Sequence, residues 1–270
     1  MIATNHTLTF LYTFAVKIIP IMMEYIIICP LVFIAGFVDA IAGGGGLISL
    51  PAYLIAGLPP HYAIGTNKFS ACMGTIIVTY RFLQKGFINL QYVVPSIFTA
   101  LTGSWLGAKL ALTVPTNIFK SLMLVIIPIT AFFVIKTKTI ENSKPPFSPA
   151  KSIFFSTVIA LIIGIYDGFY GPGTGTFLIL LLVYIARLTL KEAAGTAKVI
   201  NLSTNVAALA VFLSSNSVMF PLAIVASVFG IAGNYIGANY FINKGKGIAR
   251  PIIIIVLTIF LVKIIYDSFK

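Results

Sequence analysis

The sequence predicts an all-α polytopic membrane protein made of two homologous halves, and three observations support this prediction. The 270 residues are 59% hydrophobic and only 9% charged, with a mean hydropathy of +1.05, whereas a soluble domain carries roughly 25% charged residues. Apolar runs of about 20 residues, long enough to cross a bilayer, recur along nearly the whole chain. Several landmarks of the first half also return in the second half at an almost constant spacing.

The most informative landmark is a pair of apolar segments that are interrupted by glycines. Residues 36–46 read GFVDAIAGGGG and residues 164–175 read GIYDGFYGPGTG, which places Asp39 and Asp167 at equivalent positions of the two halves. Glycine clusters release the backbone from regular helix, and inside a membrane such a break persists only where protein or a water-filled cavity covers it. A matched pair of broken segments, one per half, indicates the central site of a transporter.

Two further landmarks repeat at nearly the same spacing as the glycine breaks. A Gly-Thr-x-Lys motif ends at Lys68 in the first half and at Lys198 in the second half. A Gly-x-x-x-Gly motif starts at Gly103 and again at Gly233, and this glycine spacing allows close contact between membrane helices. Because three separate landmarks align with a slip of only two positions, the sequence predicts an internal repeat that covers nearly half of the chain.

The repeat divides the chain into two membrane halves that follow a short N-terminal segment and are joined by a linker. The predicted boundaries are 1–20 for the N-terminal segment, 21–135 for the first half, 136–151 for the basic, proline-rich linker and 152–270 for the second half. Apolar helices are expected in the first half at 25–42, 47–58, 69–83, 92–112 and 118–135. Their counterparts are expected at 152–170, 177–185, 199–213, 220–241 and 252–265. The Gly-Thr-x-Lys motifs are predicted to lie in connectors before the third helix of each half.

The distribution of basic residues distinguishes two topologies. If each short piece after a glycine break continues its helix, each half crosses the membrane four times and the basic residues divide evenly between the two sides, which gives no orientation. If each break is the tip of a hairpin, most basic residues lie on one side, as the positive-inside rule requires. We favour the second arrangement. Each half then has a hairpin and three crossings, so the two halves are inverted repeats.

Charge, cysteine positions and the motifs that the sequence lacks argue against several classes of function. The net charge of +12, from 18 Lys and Arg against 6 Asp and Glu, is interpreted as a loop excess that sets orientation rather than as a surface for nucleic acid, and it suits an anionic cargo. Cys29 and Cys72 lie in apolar runs, so neither a disulfide nor a metal site is predicted. No cleaved signal peptide is expected. No catalytic set and no cofactor motif emerges, so an enzyme is not predicted.

The glycine breaks supply the first candidate ligands for an anion. Successive backbone N–H groups in such turns, and the helix N-termini that follow them, form concave positive sites for oxyanions. Close packing of the backbones against each other is the alternative explanation of these glycines. The predicted substrate-binding residues in the breaks are Gly43, Gly44, Gly45, Gly46, Gly171, Gly173, Thr174 and Gly175.

The Gly-Thr-x-Lys motifs and the residues near them supply the second set of candidate ligands. Lys68 and Lys198 could hold the charge of an anionic substrate in both halves, and the alternative is that each lysine reaches up to the lipid headgroups. The uncharged hydrogen-bonding groups that could hold substrate oxygens are Thr66, Asn67, Thr196, Asn201 and Asn205. The asparagines could instead tie neighbouring helices together.

Asp39 and Asp167 are acidic residues inside apolar segments. A charge at mid-bilayer costs roughly 2.5–3.5 kcal/mol, so a partner, a water-filled cavity or protonation is expected. One interpretation is a gate or a proton-coupling pair. The other, slightly favoured because a bare carboxylate does not help to bind an anion, is that each aspartate caps the free amides where the helix restarts.

At these motifs the sequence resembles the TauE/SafE family of sulfite exporters. The resemblance is carried by GFVDAIAGGGG at 36–46, GTNK at 65–68, DGFYGPGTG at 167–175 and GTAKVIN at 195–201. It spans roughly residues 25–265. It implies a multi-pass transporter of the bacterial inner membrane whose partners are the lipid bilayer and a small anion such as sulfite or an organosulfonate.

The resemblance leaves some questions open. It does not fix the cargo, so transport of sulfate, a carboxylate or a metal cation stays an alternative, as does a membrane scaffold that moves nothing. A homo-oligomer is also left open. Direction and stoichiometry of transport do not follow from the sequence.

Overall fold

A computed structural model describes residues 24–136, 145–244 and 255 of the chain, and no strand occurs within them. The predicted N-terminal segment 1–20, linker residues 137–144 and the predicted helix 252–265 lie outside the described residues, except for residue 255. The helices are, in chain order, α1 (Glu24–Ala42), α2 (Gly46–Ile55), α3 (Pro60–Gln84), α4 (Leu90–Thr113), α5 (Thr116–Lys136), α6 (Pro149–Phe169), α7 (Thr174–Tyr184), α8 (Leu190–Ser214) and α9 (Phe220–Lys244).

The helices confirm the predicted all-α membrane class. Among the described residues, α1, α6, α8 and α9 are each long and apolar enough to cross a membrane. The helices α2 and α7, which follow the two glycine breaks, have only 10 and 11 residues. At 1.5 Å per residue each is about 15 Å long, half the thickness of the hydrocarbon core.

The predicted connectors before α3 and α8 are wrong, because these residues are helical. The helix α3 begins at Pro60 and not after Lys68, since proline at the first helical position needs no hydrogen bond and already has a helical φ. The helix α8 begins at Leu190, where Thr189 and Glu192 form a capping box. Lys68 and Lys198 therefore lie inside helices, about two turns beyond the N-termini, and not in flexible loops.

The second glycine break folds α7 back beside α6. Ser152 Oγ, near the start of α6, donates a hydrogen bond of 2.9 Å to the carbonyl oxygen of Ala186, just beyond α7. The ring centroids of Tyr166 and Phe177 are 5.8 Å apart, whereas a straight helix would separate these residues by about 16 Å. The helices α6 and α7 are therefore a hairpin whose two ends meet.

The first break also turns the chain back towards the helix that precedes it. A Cβ atom on Gly45 would lie 2.6 Å from Asp39 Cβ and 2.7 Å from the carbonyl oxygen of Ala35. Residue 45 thus lies against the last two turns of α1, which requires glycine because any side chain would collide there.

The two halves interlock through helix contacts that glycines make possible. A Cβ atom on Gly103 of α4 would collide with the carbonyl oxygen of Leu161 in α6, and one on Gly233 of α9 would collide with that of Phe33 in α1. Phe33 and Leu161 occupy equivalent positions of the repeat, because they are spaced like the two aspartates of the glycine breaks. The close helix packing predicted from the glycine spacing is confirmed, and each contact joins one half to the other.

Glycine contacts that join one half to the other also occur at the N-terminal parts of α3 and α8. A Cβ atom on Gly65 would collide with the carbonyl oxygen of Ser217, and one on Gly195 would collide with that of Phe87. Both partners belong to the opposite half, and their separation in the chain equals that of the two glycines. The described residues of the two halves are therefore packed with pseudo-twofold symmetry.

Candidate functional site

The two glycine breaks contact each other directly. Thr176 N donates a hydrogen bond of 3.2 Å to the carbonyl oxygen of Gly43, and Thr176 Oγ1 donates one of 2.7 Å to that of Ala42. Gly43 has a φ of +73°, and a Cβ atom on it would collide with the backbone of Gly175. Glycine at 43 is therefore required both by the backbone conformation and by the approach of the second break.

Two ion pairs, one buried and one partly buried, flank this meeting point, and each pair joins the halves. Lys68 Nζ lies 2.7 Å from Asp167 Oδ2, with both side chains 3% exposed. Lys198 Nζ lies 2.7 Å from Asp39 Oδ2, with exposures of 2% and 15%. Because each lysine comes from a helix after a break and each aspartate from the helix before the other break, the pairs are crossed.

These ion pairs correct two interpretations of the sequence. Lys68 and Lys198 do not reach lipid headgroups, because their side chains are almost fully buried and paired. The aspartates do not cap the helices that restart after the breaks, because Asp167 Oδ2 and Asp39 Oδ2 accept hydrogen bonds from the ammonium groups of Lys68 and Lys198 instead. The interpretation of Asp39 and Asp167 as a gate or coupling pair was the less favoured one and remains a prediction.

A chain of amide side chains extends from one of the ion pairs. Lys68 Nζ also donates a hydrogen bond of 3.2 Å to Asn205 Oδ1. Asn205 Nδ2 in turn donates one of 3.3 Å to Asn201 Oδ1. Lys198 Nζ instead donates its second hydrogen bond to the main-chain oxygen of Asp39. The environments of the two lysines therefore differ, although their positions in the repeat are equivalent.

A cavity with about 50 Å³ of space for water-sized molecules opens beside the Lys68–Asp167 pair. Many predicted site residues line it, together with both aspartates Asp39 and Asp167. The predicted substrate-binding residues in its wall are Gly43, Gly45, Gly46, Asn67, Lys68, Gly171, Thr174, Gly175, Asn201 and Asn205.

Five predicted site residues lie outside the cavity wall. Gly44 lies in the turn before α2, where its carbonyl oxygen accepts a hydrogen bond from Leu47 N, and Gly173 is the left-handed N-cap residue of α7 with a φ of +81°. Thr66 Oγ1 accepts a hydrogen bond of 3.1 Å from Met219 N. Thr196 is fully buried, and Lys198 lies behind Asp39.

The sequence prediction missed nine residues that line the cavity. Asn234 is the most informative of them, because it was contained in the Gly233–Gly237 repeat and was interpreted only as part of a packing motif. Its Nδ2 donates a hydrogen bond of 2.9 Å to the carbonyl oxygen of Gly230. The others are mostly small and could not be recognised from residue type: Val32, Ala35, Gly36, Ser49, Ser70, Ala71, Thr75 and Gly230.

The cavity layer carries buried polar atoms that lack a protein partner. Among the described residues, Asn67 Oδ1 and Asn234 Oδ1 are buried without a hydrogen bond. Buried side-chain oxygens are rarely left unsatisfied by protein or water, so we expect a water molecule or a hydrogen-bond donor of a ligand in the cavity to contact these two atoms.

Comparison with known proteins identifies the family. The family model described as sulfite exporter TauE/SafE matches residues 28–264. The chain belongs to the TauE/SafE family. Its relatives include a probable membrane transporter protein of Haemophilus influenzae, 35% identical over 87% of this chain and 92% of the relative. Another is the probable membrane transporter protein YfcA of Escherichia coli K12, 32% identical over 87% of each chain.

The TauE/SafE assignment covers both halves of the chain, including both glycine breaks and both lysine motifs. A relative of similar likeness is the probable membrane transporter protein ORF9 of Sinorhizobium, 34% identical over 87% of this chain and 90% of the relative. No solved structure matches the chain significantly. Together with the apolar helices, the family establishes a multi-pass membrane protein of a transporter family.

Proposed function

We propose that this protein exports a small sulfur-containing anion, such as sulfite or an organosulfonate, across the bacterial inner membrane. The observation that supports the proposal most strongly is the position of Lys68, a buried cation in the wall of the cavity. Besides Asp167, the polar partner of its ammonium is the neutral amide of Asn205. The N-termini of α2 and α7 also lie in this wall at Gly46 and Thr174. Helix N-termini attract oxyanions through their free N–H groups and dipoles.

The proposed substrate contacts follow from the predicted residues that line the cavity. Lys68 would carry the charge contact, and Asn67, Asn201 and Asn205 would bind substrate oxygens through neutral amides. The backbone N–H groups of the two breaks would complete the coordination. In this proposal Lys198 and Asp39 hold the first hairpin in place, and the two ion pairs act together as a gate.

We also propose that the two halves are inverted in the membrane. The α6–α7 hairpin supports this arrangement, because a hairpin in place of a crossing leaves each half with an odd number of crossings. Inverted repeats with broken helices at the midplane are a recurring plan of secondary transporters. The membrane potential, negative inside the cell, favours export of an anion, since each negative charge that moves outward gains about 2.3 kcal/mol per 100 mV.

The ion pairs make a cation cargo the weaker alternative. Both carboxylates are paired with a lysine, Asp39 with Lys198 and Asp167 with Lys68, and the helix N-termini in the cavity wall repel a cation and attract an anion. Among the residues that the structure describes, no three His, Cys, Asp or Glu side chains group together to bind a metal. Sulfate, a carboxylate and a scaffold without transport remain as alternatives for the experiment to distinguish.

Efflux from proteoliposomes tests this function. Vesicles that contain the purified protein are loaded with sulfite or with methanesulfonate, and efflux is followed under an imposed membrane potential and, separately, under a pH gradient. We expect efflux that an inside-negative potential accelerates. The paired variant Lys68→Met/Asp167→Leu removes both charges without leaving one of them unpaired, and we expect it to abolish efflux.

The matched control is Lys109→Met, because Lys109 is exposed and its ammonium lies over the ring of Trp105, away from the cavity. This variant should transport like the wild type. Folded wild-type protein that moves none of the sulfur anions would contradict the proposal and favour another cargo or a scaffold.

A further inference from the structure

Four asparagines line the cavity, and none of them has an asparagine at the equivalent position of the other half. Asn67, Asn201, Asn205 and Asn234 all line the cavity beside Lys68. At the spacing that relates the two Gly-Thr-x-Lys motifs none of them has an asparagine counterpart, and the equivalent residues are, in the same order, Ala197, Ala71, Thr75 and Ser104. The amides therefore differ from the repeat pattern in both halves, and the fold collects them in one place.

Asn234 shows how the protein makes room for this arrangement. A Cβ atom on Gly36 of α1 would lie 2.7 Å from Asn234 Nδ2, and one on Gly74 of α3 would collide with the same atom. Ser104, the smaller counterpart of Asn234, is fully buried and donates a hydrogen bond of 2.6 Å to the carbonyl oxygen of Thr204. Thr204 is itself the counterpart of Gly74. A larger amide on one side is thus accommodated by glycine, and a smaller hydroxyl on the other side packs against threonine.

The charged groups at this site cancel each other. Among the described residues, the charged side chains in the cavity wall are Asp39, Lys68 and Asp167, and Lys198 lies directly behind Asp39. Two cations and two anions in close pairs give no net formal charge. What the cavity offers an anion is therefore the field of amides, backbone N–H groups and helix N-termini, with one ammonium that is already neutralised by a carboxylate.

We propose that the cavity selects singly charged anions over doubly charged anions of similar shape, an inference that rests on the proposed function. The cost of taking an ion out of water rises with the square of its charge, whereas its attraction to fixed dipoles rises only in proportion to the charge. A neutral polar site therefore accepts one negative charge more readily than two. Hydrogen sulfite and alkyl sulfonates are in the favoured class, and sulfate and fully ionised sulfite are not.

Equilibrium binding to the purified wild-type protein tests the selectivity. Calorimetry compares methanesulfonate, which carries one charge, with sulfate, which has a similar tetrahedral shape and carries two. We expect sulfate to bind at least about tenfold more weakly, a difference of about 1.4 kcal/mol. Equal affinity, or tighter binding of sulfate, would overturn the proposal while leaving anion transport intact.

A variant tests whether the cancelled charge is the cause. Asp167→Asn keeps the shape of the side chain and leaves the site with one net positive charge. We therefore expect the affinity for sulfate to rise about tenfold or more, and the difference between the affinities for sulfate and methanesulfonate to become smaller. The matched control is Glu192→Gln, which removes one negative charge at the N-terminus of α8 while glutamine can preserve the capping box. The charge argument would be contradicted if the affinity difference between sulfate and methanesulfonate became equally small in the control, or if it did not change in Asp167→Asn.

A second measurement needs only the wild type and applies even if Asp167→Asn fails to fold. As the pH rises through the second ionisation of sulfurous acid, the singly charged form disappears, and we expect the apparent affinity for total sulfite to fall in parallel. Methanesulfonate keeps its single charge throughout and corrects for effects of pH on the protein. Tighter sulfite binding at the higher pH would overturn the selectivity. Absence of any binding by folded wild-type protein would instead contradict the proposed function, and the selectivity with it.

Discussion

The Lys68 ammonium and the Asp167 carboxylate lie 2.7 Å apart although 99 residues separate them in the chain. Lys198 and Asp39 repeat this relationship across 159 residues. Each half thus supplies one cation and one anion to a layer that neither half could complete by itself. A movement that separates the halves here must break both pairs or replace one partner by a ligand, which makes this layer the natural place for a substrate to act on the protein.

The first prediction concerns stability. Lys68→Met leaves the Asp167 carboxylate buried without a partner, and breaking a buried pair in this way costs about 3–5 kcal/mol. We expect the paired variant Lys68→Met/Asp167→Leu to recover most of that loss, because replacing a buried ion pair by apolar side chains is often neutral or stabilising. Unfolding in mixed micelles as a double-mutant cycle measures both values. A loss in the paired variant as large as in the single variant would show that the ion pair is not the cause.

The second prediction concerns the contact between α4 and α6. In Gly107→Ala the new methyl group would collide with the carbonyl oxygen of Ile165, so we expect the free energy of unfolding to fall by about 1–3 kcal/mol. The control is Gly230→Ala, whose methyl group would lie 3.4 Å from Val32 Cγ1, an ordinary contact. Unfolding in mixed micelles again gives the comparison, and equal stability of the two variants would contradict the tight packing described here.

The third prediction concerns membrane topology. Pro59 precedes α3 and Lys191 lies at the start of α8, and both residues are exposed. In inverted halves these equivalent turns lie on opposite sides of the membrane. We expect a membrane-impermeant thiol reagent, applied to intact cells, to label Pro59→Cys but not Lys191→Cys in a protein whose Cys29 and Cys72 are replaced by serine. Labelling of both positions from outside would exclude the inverted arrangement.

The fourth prediction concerns Asn234, the cavity residue that sequence reasoning missed. Asn234→Ser gives this position the residue that its counterpart at 104 carries, and loss of one amide contact should weaken methanesulfonate binding about fivefold. Asn117→Ser is the control, because Asn117 is exposed at the start of α5. Calorimetry measures both variants, and unchanged binding in Asn234→Ser would remove Asn234 from the proposed site.

The features that the sequence predicted well are those that repeat. The spacing of Asp39 from Asp167 and of Lys68 from Lys198 located the central layer, because a charge inside an apolar segment needs a partner wherever the segment packs. The close glycine contacts of α4 and α9 also followed from spacing alone. Family membership followed from the same motifs.

The features that the sequence did not predict depend on tertiary contacts. Nothing local indicates that Lys68 pairs with Asp167 of the other half, so capping and headgroup contact were reasonable interpretations of single residues. The helical start of α3 was missed because residues 61–68 are polar enough to resemble a loop, whereas burial against the other half stabilises them as helix. Ala35, Ala71 and Gly230 line the cavity by position and not by chemistry.

Charge movement through the reconstituted protein tests the central claim most directly. Proteoliposomes adsorbed on a sensor electrode receive a sudden rise in methanesulfonate, and the current is recorded for the wild type and for Lys68→Met/Asp167→Leu. We expect the wild type to give a current whose sign corresponds to negative charge moving with the sulfonate, and we expect the paired variant to give none. A wild type without current, or a paired variant whose current equals that of the wild type, would contradict an anion pathway at Lys68.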